Sequence, residues 1–241
     1  GRVTRTRLTF GRQRLVSPAA WSADSSRVAF AAGAQQNRIF EKTASSAAEE
    51  KELLSELDKS HTLTDWSRDG RFLLYNSRNQ GRDELWILPL KGDRKSVRLL
   101  GTEFSERNGV LSPDMRWIAY DSTESGRSEV YVRPFIASGP SLGDVKWPIS
   151  RDGGSSPRWR GDGGELFFSG VPDRGVKMAA QIKAGGSTFE PGVPQRLFQT
   201  QPDVGWDVAS DGNRFLLSLP QLQSAQLPLN VVLNWQAQLR K

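Results

Sequence analysis

Five copies of one ten-residue pattern run through the 241-residue chain, and their spacing constrains the fold more than any other property of the sequence. They are Trp21-Ser-Ala-Asp24-Ser-Ser-Arg-Val-Ala-Phe30, Trp66-Ser-Arg-Asp69-Gly-Arg-Phe-Leu-Leu-Tyr75, Leu111-Ser-Pro-Asp114-Met-Arg-Trp-Ile-Ala-Tyr120, Trp159-Arg-Gly-Asp162-Gly-Gly-Glu-Leu-Phe-Phe168 and Val208-Ala-Ser-Asp211-Gly-Asn-Arg-Phe-Leu-Leu217. The aspartates lie 45, 45, 48 and 49 residues apart. A period of that size in a strand-rich sequence marks a repeat architecture in which each unit is one four-stranded propeller blade.

Each position of the pattern has a physical basis. The third residue before the Asp and the fourth to sixth after it are apolar in all five copies, so a buried strand flanks a tight turn on each side. An Asp side chain can accept a hydrogen bond from the amide two residues on, and a following Gly takes positive φ at no steric cost. Gly70, Gly163 and Gly212 occupy that place, while Ser25 and Met115 depart from it. Met115 would sit in the left-handed region only at a cost of roughly 1 kcal/mol. Either its turn has another geometry or packing overrides the preference. Asp24, Asp69, Asp114, Asp162 and Asp211 therefore read as structural turn formers, since a residue needed by every repeat is more simply a corner than a catalyst.

The second and third copies align without a gap at an offset of 45. Ser67, Asp69, Arg71, Tyr75, Ser77, Gly81, Arg82, Glu84 and Pro89 recur as Ser112, Asp114, Arg116, Tyr120, Ser122, Gly126, Arg127, Glu129 and Pro134. After each Asp turn comes a strand, a polar Gly-containing connection, a second strand (Leu85 to Leu88, Val130 to Arg133) and a further one at Val97 to Leu100 and Lys146 to Ile149. Polar connections between β-branched or aromatic runs are hairpin loops, so the unit is an antiparallel meander. The recurring pairs Arg82 with Glu84 and Arg127 with Glu129 read as surface ion pairs at hairpins, worth under about 1 kcal/mol. Arg82 and Arg127 are also the candidate partner-binding residues, as a rim that recognises a partner.

One segment disagrees locally with the repeat. Ser45 to Lys59 carries strong helix formers, with acids early and a Lys late, and propensity alone gives a helix. The repeat requires an outer strand within Glu52 to Leu57. The expectation here is the strand, because tertiary context outranks propensity.

Composition narrows the function. The net charge of +6 is scattered over loops and interleaved with acids. The one concentration, Arg2, Arg5, Arg7, Arg12 and Arg14, reads as a charged edge or closure strand guarded against aggregation rather than an anionic-partner patch, and no nucleic-acid motif accompanies it. No stretch approaches the roughly 18 apolar residues of a membrane span, and no signal peptide is apparent. The absence of Cys excludes disulfides, thiolate metal sites and cysteine nucleophiles. His61 is the single histidine, so a multi-histidine metal site is excluded and any Ser-His-acid triad must use it; a structural role is expected. Gly153-Gly-Ser155-Ser-Pro157 lacks the last Gly of a nucleophile elbow, and phosphate-binding and kinase motifs are absent. No catalytic, cofactor or metal residue is expected. The remaining enzymatic reading is a propeller glycoside hydrolase that converges acids at its channel, with Asp65 and Asp207 as candidates.

The Ser-x-Asp-Gly turns, the run from Trp117 to Phe135, Gly153 to Arg160 and the ending Asn230 to Gln236 resemble TolB-type, WD-repeat-like propeller repeats. They are most similar to the propeller that follows a membrane helix in many bacterial transmembrane serine/threonine protein kinases. The resemblance covers nearly the whole chain. It implies a non-enzymatic, extracytoplasmic or periplasmic module that binds a protein or small ligand at a propeller face or serves as the sensor or scaffold part of a receptor. This chain departs from that arrangement in lacking the kinase domain and the membrane helix, and the open readings are a truncated reading frame, an excised domain or a stand-alone relative.

The expected fold is thus an all-β propeller forming one domain over 1–241, with blades at about 19–57, 63–101, 109–150, 156–200 and 205–241 plus 4–10. Pairing Thr4 to Phe10 with the last blade, which contains Trp235, would close a five-bladed ring, and a closed ring is expected to be monomeric. The alternative is an open fragment of a larger six- to eight-bladed propeller.

Overall fold

The structure, a computed structural model, describes residues 14–15, 18–33, 38–44, 49–55, 59–186, 188–219 and 232–233. All regular structure within them is β, arranged as five antiparallel sheets that follow one another along the chain. The expected closure strand at 4–10, Trp235 and the arginines from Arg2 to Arg12 lie outside the described residues. The sheets fall into two compact units, 1–103 and 104–241.

In the first unit, β1 (Arg14–Leu15) and β2 (Ala20–Trp21) share one edge of β3 (Arg27–Gly33), followed by β4 (Arg38–Thr43) and β5 (Lys51–Leu54). Its inner strand is therefore broken in two, beginning earlier than the expected boundary near residue 19. The second sheet is a plain meander of β6 (Ser60–Trp66), β7 (Phe72–Asn79), β8 (Arg82–Pro89) and β9 (Val97–Leu100). Ala29, Ala31 and Ile39 of the first sheet pack with Leu63, Trp66, Leu73, Tyr75 and Leu88 of the second. The contested segment adopts a strand: Phe40 of β4 pairs with Glu52 and Ile39 with Leu54. Residues 45–48 and 56–58 lie outside the described set. Helix propensity of a few tenths of a kcal/mol per residue is outweighed by the hydrogen bonds and burial that an outer blade strand supplies.

In the second unit the third sheet comprises β10 (Glu106–Leu111), β11 (Trp117–Ser122), β12 (Glu129–Ile136), β13 (Ser141–Leu142) and β14 (Trp147–Pro148). The fourth comprises β15 (Gly154–Trp159), β16 (Glu165–Gly170), β17 (Val176–Gly185), β18 (Thr188–Pro191) and β19 (Gln195–Gln199). The fifth contains β20 (Gly205–Val208), β21 (Arg214–Ser218) and β22 (Val232–Leu233). The third and fourth sheets depart from a simple meander. Strand β12 gives its first half to β14 and its second half to β13, and β17 divides itself in the same way between β19 and β18. Each blade thereby carries an extra short strand. Val110, Trp117, Val130 and Val132 of the third sheet interleave with Leu166, Phe168, Ala180 and Phe189 of the fourth. Phe167 and Ala179 then meet Phe215 of the fifth.

The five Asp turns share one geometry. In each, the residue two before the Asp (Ser22, Ser67, Ser112, Arg160, Ala209) donates its N–H to the carbonyl five residues on, at 2.8–2.9 Å. The Asp Oδ1 accepts the N–H two residues on, from Ser26, Arg71, Arg116, Gly164 and Asn213, at 2.9–3.2 Å. The intervening residue has positive φ in every copy, 57° at Ser25 and 62° at Met115 as well as 71–76° at the three glycines. Met115 thus adopts the strained conformation rather than escaping it. In the first three copies a Ser hydroxyl reinforces the corner: Ser67 Oγ donates to Asp69 at 2.8 Å and accepts the Phe72 N–H at 2.9 Å. Ser22 and Ser112 repeat this arrangement. In the fourth copy Arg160 replaces Ser and grips Asp162 through Nε at 2.7 Å and Nη2 at 2.9 Å. That contact holds the Asp162 carboxyl at about 2, well below the usual carboxylate range.

Candidate functional site

A partly enclosed concavity lies in the second unit, where the connection from β14 to β15 meets the β16–β17 hairpin and the loop joining β18 to β19. It holds about 400 Å³, within the size range of ligand pockets. Its walls are apolar, with Ile149, Phe168, Val171, Val176, Met178 and Val193 joined by four prolines, while Arg151, Asp152 and Asp173 bring charge to it. Val193 is 85% exposed, an uncovered apolar side chain on one wall.

The sequence dictates this shape through Gly153. Its φ is +97°, and a Cβ there would stand 2.4 Å from the Val171 carbonyl oxygen. Only Gly lets the connection pass so close beneath the hairpin. The connection is also tied down from the other side. Glu129, at the start of β12, accepts the Gly153 N–H at 3.0 and 3.1 Å and the Ser150 hydroxyl, and Ser150 Oγ in turn accepts the Val130 N–H at 2.8 Å.

A second, shallower depression of about 480 Å³ adjoins the first and shares Pro148, Ser150 and Arg151 with it. Here the candidate residue Arg127 enters the site. Its Nε donates to Glu129 Oε1 at 2.7 Å, its Nη2 donates to the Arg151 carbonyl, and Asp152 lies 3.7 Å away. These bonds fix the guanidinium in place while half of the side chain remains open to solvent. The Tyr131 ring forms part of the wall, with Lys146 Nζ 4.7 Å from its centroid and bonded to Glu124. Burial pushes the Tyr131 hydroxyl above its ordinary range.

The other sequence-derived candidates are elsewhere. Arg82 is exposed in the first unit and donates to the Glu103 carbonyl at 3.2 Å. Its expected partner Glu84 pairs instead with Arg98 at 3.4 Å and accepts from Trp86 Nε1 at 3.0 Å. The Arg127–Glu129 ion pair forms as expected, but neither acid is a surface group: Glu84 and Glu129 are buried, Glu84 bonding Asn79, Trp86 and Arg98 across β7 to β9 and Glu129 tying down the Ser150–Gly153 connection. Asp65 is half-buried on β6, opposite Leu74. Asp207 is exposed, 3.6 Å from Arg158. His61 is fully buried, edge-on to the Tyr75 ring at 5.2 Å. Ser155 is buried on β15. Asp152 is fully solvated, and Asp173 is held by the Gly175 N–H and Gln199, each at 2.9 Å. These acids lend no support to a hydrolase. Among the described residues, no group of three or more His, Asp or Glu is placed to hold a metal, and no helix is long and apolar enough to cross a membrane.

Asp121 and Lys177 are among the buried charged residues that escaped the sequence reading. Asp121 on β11 is fully buried and accepts bonds from Asn108 Nδ2 at 2.7 Å, the Ser156 N–H at 3.0 Å and the Ser128 hydroxyl at 3.1 Å. Burial pushes its carboxyl up, against the pull of these donors and of Arg107. Both Asn108 and Ser156 have φ of 55° and sit at bulges in inner strands. Lys177 on β17 is buried beside the Trp206 ring at 5.4 Å and donates to the Arg174 carbonyl at 2.7 Å and Ser169 Oγ at 3.0 Å. A weak signal was present in each case: a single charged residue within an otherwise apolar strand run.

Comparison with known proteins yields fold and no more. No protein-family model matches the chain, and no curated protein does. Among solved structures it is similar to TolB from Acinetobacter baumannii, with a TM-score of 0.66 and 16% identity over 87% of this chain and 49% of that one. A propeller in a nidogen/laminin complex gives a TM-score of 0.61 at 12% identity, over 85% of this chain and 72% of that one. Prolyl oligopeptidase B from Galerina marginata gives 0.54 at 12% identity, over 84% of this chain and 30% of that one. The chain spans about half the length of the TolB structure. The fold is an all-β propeller of antiparallel blades, and among the described residues four of the five sheets contain a hydrogen-bonded path of four strands.

Proposed function

We propose that this chain is a non-enzymatic binding module that holds a partner protein or ligand in the double depression beside Arg127 and Arg151. In this reading 1–241 is one propeller domain, working outside the cytoplasm as the sensor or scaffold part of a larger bacterial receptor, as the resemblance to kinase-linked propellers implies. It needs no cofactor and no nucleic acid. The observation that carries it is the groove itself: apolar walls, a few charged groups at the margin, and a floor fixed by Gly153 and Glu129. Preformed concavities of this composition are where proteins bind ligands. Propellers differ in function through such surfaces rather than through the fold.

Photo-crosslinking tests the proposal. A benzophenone amino acid at exposed Val193, on the groove wall, is expected to give discrete adducts in bacterial envelope extract, whereas the same group at exposed Lys95 gives none. Adducts from neither position, or equally from both, would remove the groove from consideration.

A further inference from the structure

Resting on that reading, we infer that the double depression docks an extended peptide segment of a partner protein in which an acidic residue stands beside two or more apolar residues. The two hollows share Pro148, Ser150 and Arg151, so one extended chain can lie across both. Side chains along such a chain point alternately to opposite faces, and every second one can enter the site. The deeper hollow, walled by Phe168, Val176, Met178 and Val193, takes the apolar ones.

The charge balance at the margin selects the acidic one. Glu129 is enclosed, with Arg127, Ser150 and the Gly153 N–H on its oxygens. Asp173 is occupied by Gly175 and Gln199. Asp152 points into solvent and lies 3.7 Å from Arg127. Against these stand two guanidiniums. Arg127 is held rigid by its bonds to Glu129 and the Arg151 carbonyl. The side chain of Arg151 is exposed and makes no hydrogen bond or ion pair to any described residue. A planar fork already oriented, next to a second one uncommitted, suits a carboxylate, which accepts two parallel N–H bonds from arginine. A nucleic acid would need stacking faces as well as cations, and the aromatic rings lining the two hollows, Phe168 and Tyr131, are buried.

A bacterial-display library of random dodecapeptides, panned against the full chain, tests the inference. Selected peptides are expected to carry Asp or Glu beside apolar residues. Their affinity should fall about tenfold or more in Arg151→Glu, a charge reversal at an exposed site, and in Val193→Arg, which intrudes on the apolar hollow. Replacing the peptide's acid by its amide should cost about as much. Thermal melting of both variants controls for folding. Enrichment of peptides without an acid, or of acidic peptides insensitive to either variant, overturns the inference while leaving the groove reading intact. So does an empty selection alongside persistent adducts from position 193. Loss of those adducts, in contrast, removes the broader reading.

Discussion

Asp121, on the second strand of one blade, accepts the backbone N–H of Ser156, on the inner strand of the next, at 3.0 Å. The same oxygen holds the side-chain amide of Asn108 at 2.7 Å. Both donors belong to bulged residues at φ 55°, so one carboxylate stabilises two irregular inner strands in adjacent sheets.

Removing that carboxylate should therefore loosen the second unit. Asp121→Ala strands the Ser156 N–H and leaves Arg107, now 3.6 Å from the carboxylate, without its counter-charge. The expected loss is about 2–4 kcal/mol in urea unfolding, with Asp121→Asn losing less because it retains an acceptor. An unchanged midpoint in the alanine variant would show that the bulges hold themselves.

Met115 supplies the opposite sign. It occupies the left-handed region at φ 62° in a turn where three other copies use Gly. Met115→Gly should raise stability by roughly 0.5–1 kcal/mol, the relief of Cβ strain exceeding the added freedom of the unfolded chain. A drop in melting temperature would mean that the Met side chain packs for more than its backbone costs.

Lys177 gives a pH signature. Desolvation lowers its pKa from 10.5 to about 8, although Asp173 and Asp203 pull the other way. Below about 8 both states hold the proton and stability is flat. Between about 8 and 10.5 the unfolded chain retains a proton that the folded chain has lost, so this residue's contribution to stability rises with pH. The difference between the native chain and Lys177→Met, measured in urea at several pH values across that window, should grow in favour of the native chain as pH rises. A constant difference would place the amine in a better-solvated setting.

Charge reversal distinguishes the two candidate arginines. Arg127→Glu sets a carboxylate against buried Glu129 and should abolish adducts from Val193. Arg82→Glu, in a residue that does not line either hollow, should leave their yield within about twofold. Equal losses would place the partner across a different surface.

What could be read in the sequence was whatever repeats. The Asp corner recurs, and the strands at Leu85–Leu88 and Val97–Leu100 follow from the alignment of two copies. The repeat even outranked helix propensity at Lys51–Leu54. Unique features were harder to see. Asp121 aligns with Asn76 and Lys177 has no charged counterpart in the aligned copies, so neither could be recognised by recurrence. Arg127 was singled out because it resembled Arg82, yet its surroundings set it apart. The partners that orient it, Glu129 and the Arg151 carbonyl, come together only through the fold.

The divided edges of β12 and β17 bear on how such a chain can change. From Asp69 to Val97 the second blade takes 28 residues, while Asp114 to Trp147 and Asp162 to Gln195 each take 33. The surplus falls at the outer rim, in the stretches that form β13, β18 and the Pro191–Pro194 wall of the groove. Within each of these sheets the first three strands keep their antiparallel pairing while the outer edge lengthens. Novelty can accordingly be added at a sheet's outer edge, one insertion at a time, without renegotiating the pairing of its inner strands.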